Sequence, residues 1–505
     1  MPQTLSSLLR LSTVAIAFSA GAAAAQDNCL TVMTFDWSAT LITDPARIVN
    51  NSDLLHVNAA YEPLVVFDNN FTVSPWLAES FVQSADGLEW TFKLKNGIRF
   101  QDGAPLTSAD VVYTYRRLLD PATASPAAAE LGMITADGIT APDATTVVFR
   151  TAKPVAQLQL LLATKYALIV RDGATTEGMA KASNGTGPYV ITDFKADAPR
   201  TVLAANPTYW QAGKPTSPCL ELSGIADPIA RASAIQSGDA DLLIAADAAT
   251  LPLLQADPGV SLLEAKGALM MTMVMMVDQP PFDDVRVREA LKLVVDRTAM
   301  VQLVTLGFGV PGNDNPVPPT SPLAVLDQPQ PRDLDRARAL LGEAGHADGL
   351  TVDLWTGATD LVPGMNVMVQ AYKEMAAEAG ITVNVMTAPS NSFWDDVYMK
   401  QPFSVSYWYT RHPVSSFSLA FRSDAQYNET HWRDPAFDAL LDDAATATDP
   451  AVAADLYHQA QTRIMTEGGQ IVPVFASLVA AMRKGCSGYV PHIESRVMFQ
   501  DITCD

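Results

Sequence analysis

An α/β fold of more than one domain is predicted by three observations. The chain has 505 residues, more than one compact core holds, so two or three domains are expected. From Leu350 to Ala388, strand-like, helical and strand-like patterns follow one another: "LTVDLWTG", "VMVQAYKEMAAEAG", "ITVNVMTA". Such alternation implies a parallel sheet with crossover helices. Apolar residues make up 48% and charged residues 17% of the chain, which is ordinary globular composition.

The first residues are read as a leader. Arg10 precedes the apolar run "LSTVAIAFSAGAAAA", and Ala23-x-Ala25 fits a signal-peptidase site, so residues 1–25 form a signal peptide and the exported chain starts near Gln26. Asp27 and Asn28 before Cys29 are a poor context for lipid attachment. An exported chain can oxidise its cysteines. Cys29, Cys219, Cys486 and Cys504 allow three pairings, and no C-x-x-C pair points to zinc or redox chemistry. Cys29–Cys219 with Cys486–Cys504 is preferred: "CLTVMTF" and "CLELSGI" both open strand-like runs that can lie side by side, and the second bridge would staple the tail.

"WTFKLKNGIRF" alternates from Trp90, and Asn96-Gly97 supplies a positive-φ turn, so a hairpin is expected. "LTSADVVYTYRRLLDP" then reads as a helix, with Thr107 and Asp110 as capping box and Pro121 as stop. "GALMMTMVMMVD" (Gly267–Asp278) reads as a buried strand; a copper-binding methionine cluster is the weaker alternative. "DDVRVREALKLVVDRTAMVQLVTLG" reads as one amphipathic helix capped by Asp283 and closed by Gly307. Pro311 to Pro331 is a loop, and "DLDRARALLGEAG" a helix between Asp333 and Gly345.

The formal net charge of −22 argues against nucleic acid and anionic membrane surfaces as partners. No G-x-x-x-x-G-K-[ST], H-E-x-x-H or G-x-S-x-G motif occurs, and the six histidines are scattered. Catalysis has no positive signal, and no cofactor is expected.

The blocks "YEPLVVFD" (Tyr61–Asp68), "SPWLAES" (Ser74–Ser80), "LEWTFKLKNGIRFQDGAPLTSADVVYTYRRLLDP" (Leu88–Pro121), "NGTGPYVI", "NPTYW", "PPFDDVRVREALKLVVDR" (Pro280–Arg297) and "FDALLDDAATATD" (Phe437–Asp449) follow in order. Together they resemble the family-5 extracellular solute-binding proteins, the peptide and nickel group of ABC importers. The resemblance implies a two-lobed periplasmic-binding-protein fold with a hinge. Lobe I would be residues 26–268, with 64–184 as an extra subdomain; lobe II would be 269–474; and 475–505 would return to lobe I. It further implies a periplasmic monomer that captures a small-molecule or peptide ligand and hands it to the importer's transmembrane subunits, without entering the membrane.

In the family's peptide-binding members a tryptophan followed three residues later by an aspartate ends a lobe II strand, and the aspartate holds the peptide's ammonium. Trp408 matches the tryptophan, but Arg411 stands at the aspartate position, in "FSVSYWYTRHPVSSFS". A cation there repels an ammonium. Arg411 therefore clamps a ligand carboxylate or phosphate, pairs with an acid such as Glu429, or faces solvent. Trp408, Tyr409, Trp394 and Trp355 are expected as aromatic walls, with packing into the lobe II core as the competing reading for the tryptophans; Asp36 and Trp37 are expected as lobe I contacts, with a simple loop as the competing reading. The function expected is capture of an oligopeptide-like or related solute with an anionic group. The alternatives are a metal-chelate binder, using His412, His431 and Arg411, and a cell-envelope hydrolase.

Overall fold

The computed structural model describes residues 29–37, 42–191, 200–326, 328 and 330–505; the leader assigned to residues 1–25 lies outside them. A mixed α/β architecture is built on an eleven-stranded sheet. Its spine is a long antiparallel pair, Val260–Met275 against Gln470–Arg483, with register shifts at Ala265/Leu269 and Met271/Met273. On one side of the spine stands Phe403–Tyr409, antiparallel to Leu269–Met275. The parallel pair Leu350–Gly357 and Ile381–Ala388 follows, joined by the helix Met365–Ala377 as its alternation requires. On the other side stand Leu242–Leu243, Leu30–Thr34, Cys219–Gly224, Arg200–Ala205 and Tyr189–Val190.

The methionine run is core. Met271, Met273 and Met275 share one face and are buried among Val287, Leu291, Tyr372 and Phe403, while Met270 packs on the opposite face against Val472 and Phe475. This is the period-two partition of a strand buried on both faces.

A second, four-stranded antiparallel sheet orders Ala78–Gln83, Glu89–Leu94, Thr146–Thr151 and Ile134–Asp143. Its core includes Trp90, Phe92, Phe149 and residues of the helix Ser108–Leu119, which begins at the Thr107–Asp110 capping box. The buried Glu62 carboxylate ties this region to the rest, accepting from Trp76 Nε1 (3.0 Å), Thr186 Oγ1 (2.8 Å), Tyr209 OH (2.7 Å) and Trp210 Nε1 (2.9 Å).

Two local expectations are corrected. The Asn96-Gly97 turn forms, with Gly97 at φ +81°, and Ile98 and Phe100 are buried. No hairpin follows, because Glu89–Leu94 already pairs with Ala78–Gln83 on one edge and Thr146–Thr151 on the other. The helix expected from Asp283 is two helices, Val285–Leu293 and Arg297–Thr305. Asp284 caps the first; Asp296, which amphipathic periodicity absorbed as an interior position, caps the second by accepting from Ala299 N–H at 2.9 Å.

Both preferred disulfides are present, Cys29–Cys219 and Cys486–Cys504. The first sits at the end of the parallel pair Leu30↔Leu220; the second ties two short strands paired Cys486↔Cys504. Closing a loop of sequence separation 18 restricts the unfolded chain, a gain of about 3 kcal/mol. The double variant Cys486→Ser/Cys504→Ser is expected to lose up to that amount, read as a lower urea midpoint; an unchanged midpoint would show that the tail is held by packing alone.

Candidate functional site

The strand Phe403–Tyr409 leaves the core as it runs. Phe403 and Val405 are fully buried, opposite Met275 and Met273. The same face continues into Tyr407 and Tyr409, and Tyr407 meets Trp394 edge-on at 5.6 Å between ring centroids. Here the face opens: Tyr409 is 52% and Trp394 40% exposed. Trp355 lies one strand over, partly buried against the core, with Ser404 as its bridge partner.

The other face carries Ser406 and Trp408, and both are fixed by Glu429. That carboxylate is 2% exposed. It accepts from Ser406 Oγ at 2.6 Å, Trp408 Nε1 at 3.0 Å and Gln470 Nε2 at 3.5 Å, and also from Tyr398. Burial pushes the carboxyl up to about 7, against the pull of the Ser406, Tyr398 and Trp408 donors. Glu429 thus fixes Ser406 and Trp408 from the buried side.

Arg411 follows directly. Its Nη1 donates to Tyr409 O at 3.3 Å and its guanidinium lies 5.7 Å over the Trp408 ring. Among the described residues it forms no salt bridge. The expected candidate pairing with Glu429 is therefore not made: Glu429 engages the N–H edge of the Trp408 indole, whereas Arg411 lies over its face. Nor do the histidines converge. His412 is buried and its Nδ1 accepts from Val414 N–H, capping the helix Pro413–Ala420. His431 meets Asp278 at 3.0 Å instead.

A cavity of about 440 Å³ is lined by Tyr409, Thr410 and Arg411 together with Asp36, Asn51, Lys165, Tyr166 and Glu494. Asp36 lines it with both oxygens occupied: Oδ2 accepts from Asn51 N–H (2.9 Å), and Oδ1 from Ser52 N–H (3.1 Å) and Thr34 Oγ1 (2.9 Å). It thereby anchors the first turn of the helix Asn51–Ala60. Trp37 is not among the described lining residues; it packs on Gly224, where a Cβ would fall 2.6 Å from the Trp37 Cβ, and meets His56 edge-on. Trp408, Trp355 and Trp394 also stand outside the described lining; Trp408 lines a separate small pocket with Tyr409, Thr410 and Arg411. The sequence reading missed Lys165, Tyr166 and Glu494. A lysine inside the apolar run "LLLATKYALIV" was the available signal.

The model of the bacterial extracellular solute-binding proteins, family 5 middle, matches residues 72–429. The chain belongs to the family-5 bacterial extracellular solute-binding proteins. This family-5 protein is 27% identical over 495 residues to heme-binding protein A of Haemophilus influenzae, covering 90% of the chain and 88% of the relative. It is 28% identical over 458 residues to the glutathione-binding protein GsiB of Escherichia coli K12, with 87% and 88% covered. The unliganded open form of MppA, a periplasmic murein tripeptide binding protein, shares its fold at a TM-score of 0.82 and 23% identity, over 95% of this chain and 98% of that one. Among the described residues no helix is long and apolar enough to cross a membrane. A ligand-capturing component of an ABC importer is thus the general role.

Proposed function

We propose that this family-5 protein works in the periplasm, after removal of residues 1–25, and captures a peptide-like or related small organic solute with an anionic group. Residues 26–268 and 475–505 form lobe I, with 64–184 as its subdomain, and 269–474 form lobe II; the solute is held between them. The observation that carries the reading is Arg411, which lines the cavity and lies over Trp408 with no salt bridge among the described residues. A planar guanidinium with free N–H groups suits a carboxylate or phosphate. Trp408 and Tyr409 supply apolar surface for the body of the solute, with Trp394 and Trp355 extending the wall and Glu429 supporting it from behind. Asp36 shapes the lobe I side by holding its helix, and Trp37 backs that segment. Binding involves no turnover. A solute that touches both lobes only when they close shifts the population toward the closed form, which the importer's transmembrane subunits read.

The test is a thermal-shift screen of the purified protein against free dipeptides, tripeptides, glutathione and sugar acids. A ligand at a hundred times its Kd should stabilise by about 2.7 kcal/mol. Arg411→Ala is expected to weaken an anionic ligand about 10- to 100-fold, the scale of a charge-assisted hydrogen bond. Tight binding of plain dipeptides that Arg411→Ala leaves untouched would remove the anion clamp, and turnover of any compound would remove the binding-only reading.

A further inference from the structure

Resting on that reading, we infer that Glu494 receives the ammonium group of the solute, so that the cleft holds an amphoteric peptide-like molecule with its amine at lobe I and its carboxylate at Arg411. Glu494 lines the same cavity as Arg411. Its Oε2 is shielded from solvent and has no hydrogen-bond partner among the described residues. A buried carboxylate oxygen without a donor carries a free-energy cost that an incoming N–H group removes.

No neighbouring side chain among the described residues donates to that oxygen, although the buried Nε and Nη1 of Arg496 also lack partners there. Arg496 is buried two residues on, but its Nη2 donates to Ala163 O at 2.8 Å and its guanidinium lies 5.6 Å from the Phe67 ring centroid. It offers Glu494 a favourable field without forming a salt bridge to it. Lys165 lies over the Tyr166 ring, 5.3 Å from the centroid. Of the other carboxylates in the lining, Asp36 has donors on both oxygens and Glu130 is exposed to solvent. Burial raises the Glu494 carboxyl above the usual carboxylate range, against the pull of Arg496, Lys165 and Arg411 and with a push from Glu130. Arg411 and Glu494 both line the cavity, near enough for the guanidinium to pull on the Glu494 carboxyl, so a solute with both charges engages both groups at once, and a contact made only when they are held together favours closure.

A randomised tripeptide pool that includes glutathione, prepared in free, N-acetylated and C-amidated forms, tests the assignment by thermal shift with wild type and Glu494→Gln. The free pool is expected to stabilise wild type, and N-acetylation to weaken binding tenfold or more. In Glu494→Gln the free pool should bind no better than the acetylated one, while C-amidation still weakens binding because Arg411 remains. Glu494→Asp should restore part of the preference for a free amine. Unaltered discrimination between free and acetylated pools in Glu494→Gln overturns the role of Glu494 and leaves the proposed function standing. Failure of all three pools to shift wild type overturns the peptide-like reading itself, and this inference with it.

Discussion

Asp314→Ala is expected to lower stability by about 3–5 kcal/mol, the range for leaving a buried charge without its partner. Asp314 is fully buried, and Arg297 is 2% exposed. Arg297 Nη2 donates to Asp314 Oδ2 at 2.6 Å, and Val472 N–H donates to Oδ1 at 2.8 Å. The aspartate thus joins the helix Arg297–Thr305 to a spine strand. It serves more than one cation. Lys292 is buried nearby with Nζ on Met465 O and Gly468 O, both at 2.8 Å, and burial lowers its amine to about 8 even though Asp314 pulls the other way. Arg288 is buried as well, donating to Phe282 O and Glu467 O. Carbonyls solvate Lys292 and Arg288 but neutralise neither. Asp314→Asn keeps the shape and one acceptor, so it should lose less than the alanine variant. Urea midpoints of the three proteins check this. A loss below about 1 kcal/mol for Asp314→Ala would mean that carbonyls suffice to hold these cations.

The elements that were legible in the sequence are those fixed by local rules. The Thr107–Asp110 capping box, the Asp333 cap and the strand–helix–strand unit from Leu350 to Ala388 follow from side chains a few residues apart. So does the burial of the methionines, because alternation over a long run leaves little choice. One miss is non-local, and the other is a local cap hidden by the apolar pattern. Whether Asn96-Gly97 closes a hairpin depended on Thr146–Thr151, some fifty residues away, having taken the open edge. The end of the helix at Leu293 was decided by Asp296, which a pattern of apolar spacings reads as one more polar position.

The site divides in the same way. Trp408 and Arg411 could be found because their spacing at a strand end is local, and the charge at Arg411 was readable against the family's pattern. Their surroundings were not. Glu429 was one candidate partner for Arg411, eighteen residues away in sequence, yet it meets the edge of Trp408. Lys165 and Glu494 reach the cavity from segments more than three hundred residues apart, and only tertiary packing brings them together. Trp37 looked like a contact because it follows the first strand, but it packs on Gly224 while Asp36 lines the cavity.

Glu429 is expected to make stability fall as pH rises from about 4.5 to about 7. Its carboxyl is held near 7 in the folded protein against an ordinary value of 4.5. Between those values the folded state binds more protons than the unfolded state, so stability declines with pH there and is flat above. The total is on the order of 3 kcal/mol. The groups facing Glu429 do not titrate in this window: Ser406, Trp408 and Gln470 carry no ionisable proton there, and burial pushes the Tyr398 hydroxyl far up. Glu429→Gln should abolish this component. The amide retains an acceptor for Ser406 and Trp408, and its new N–H can face Gln470 Oε1, a buried acceptor with no partner among the described residues. The variant is therefore expected to gain on wild type as pH rises, by up to about 3 kcal/mol at pH 8. Glu429→Ala differs, because it leaves Ser406, Trp408 and Tyr398 without an acceptor at about 1–3 kcal/mol each. It should also free the Trp408 ring that lies under Arg411, weakening ligand along with the fold. Melting curves of the three proteins from pH 4.5 to 8 separate these effects. Parallel wild-type and Glu429→Gln profiles would show that Glu429 is ionised throughout and that its donors outweigh its burial.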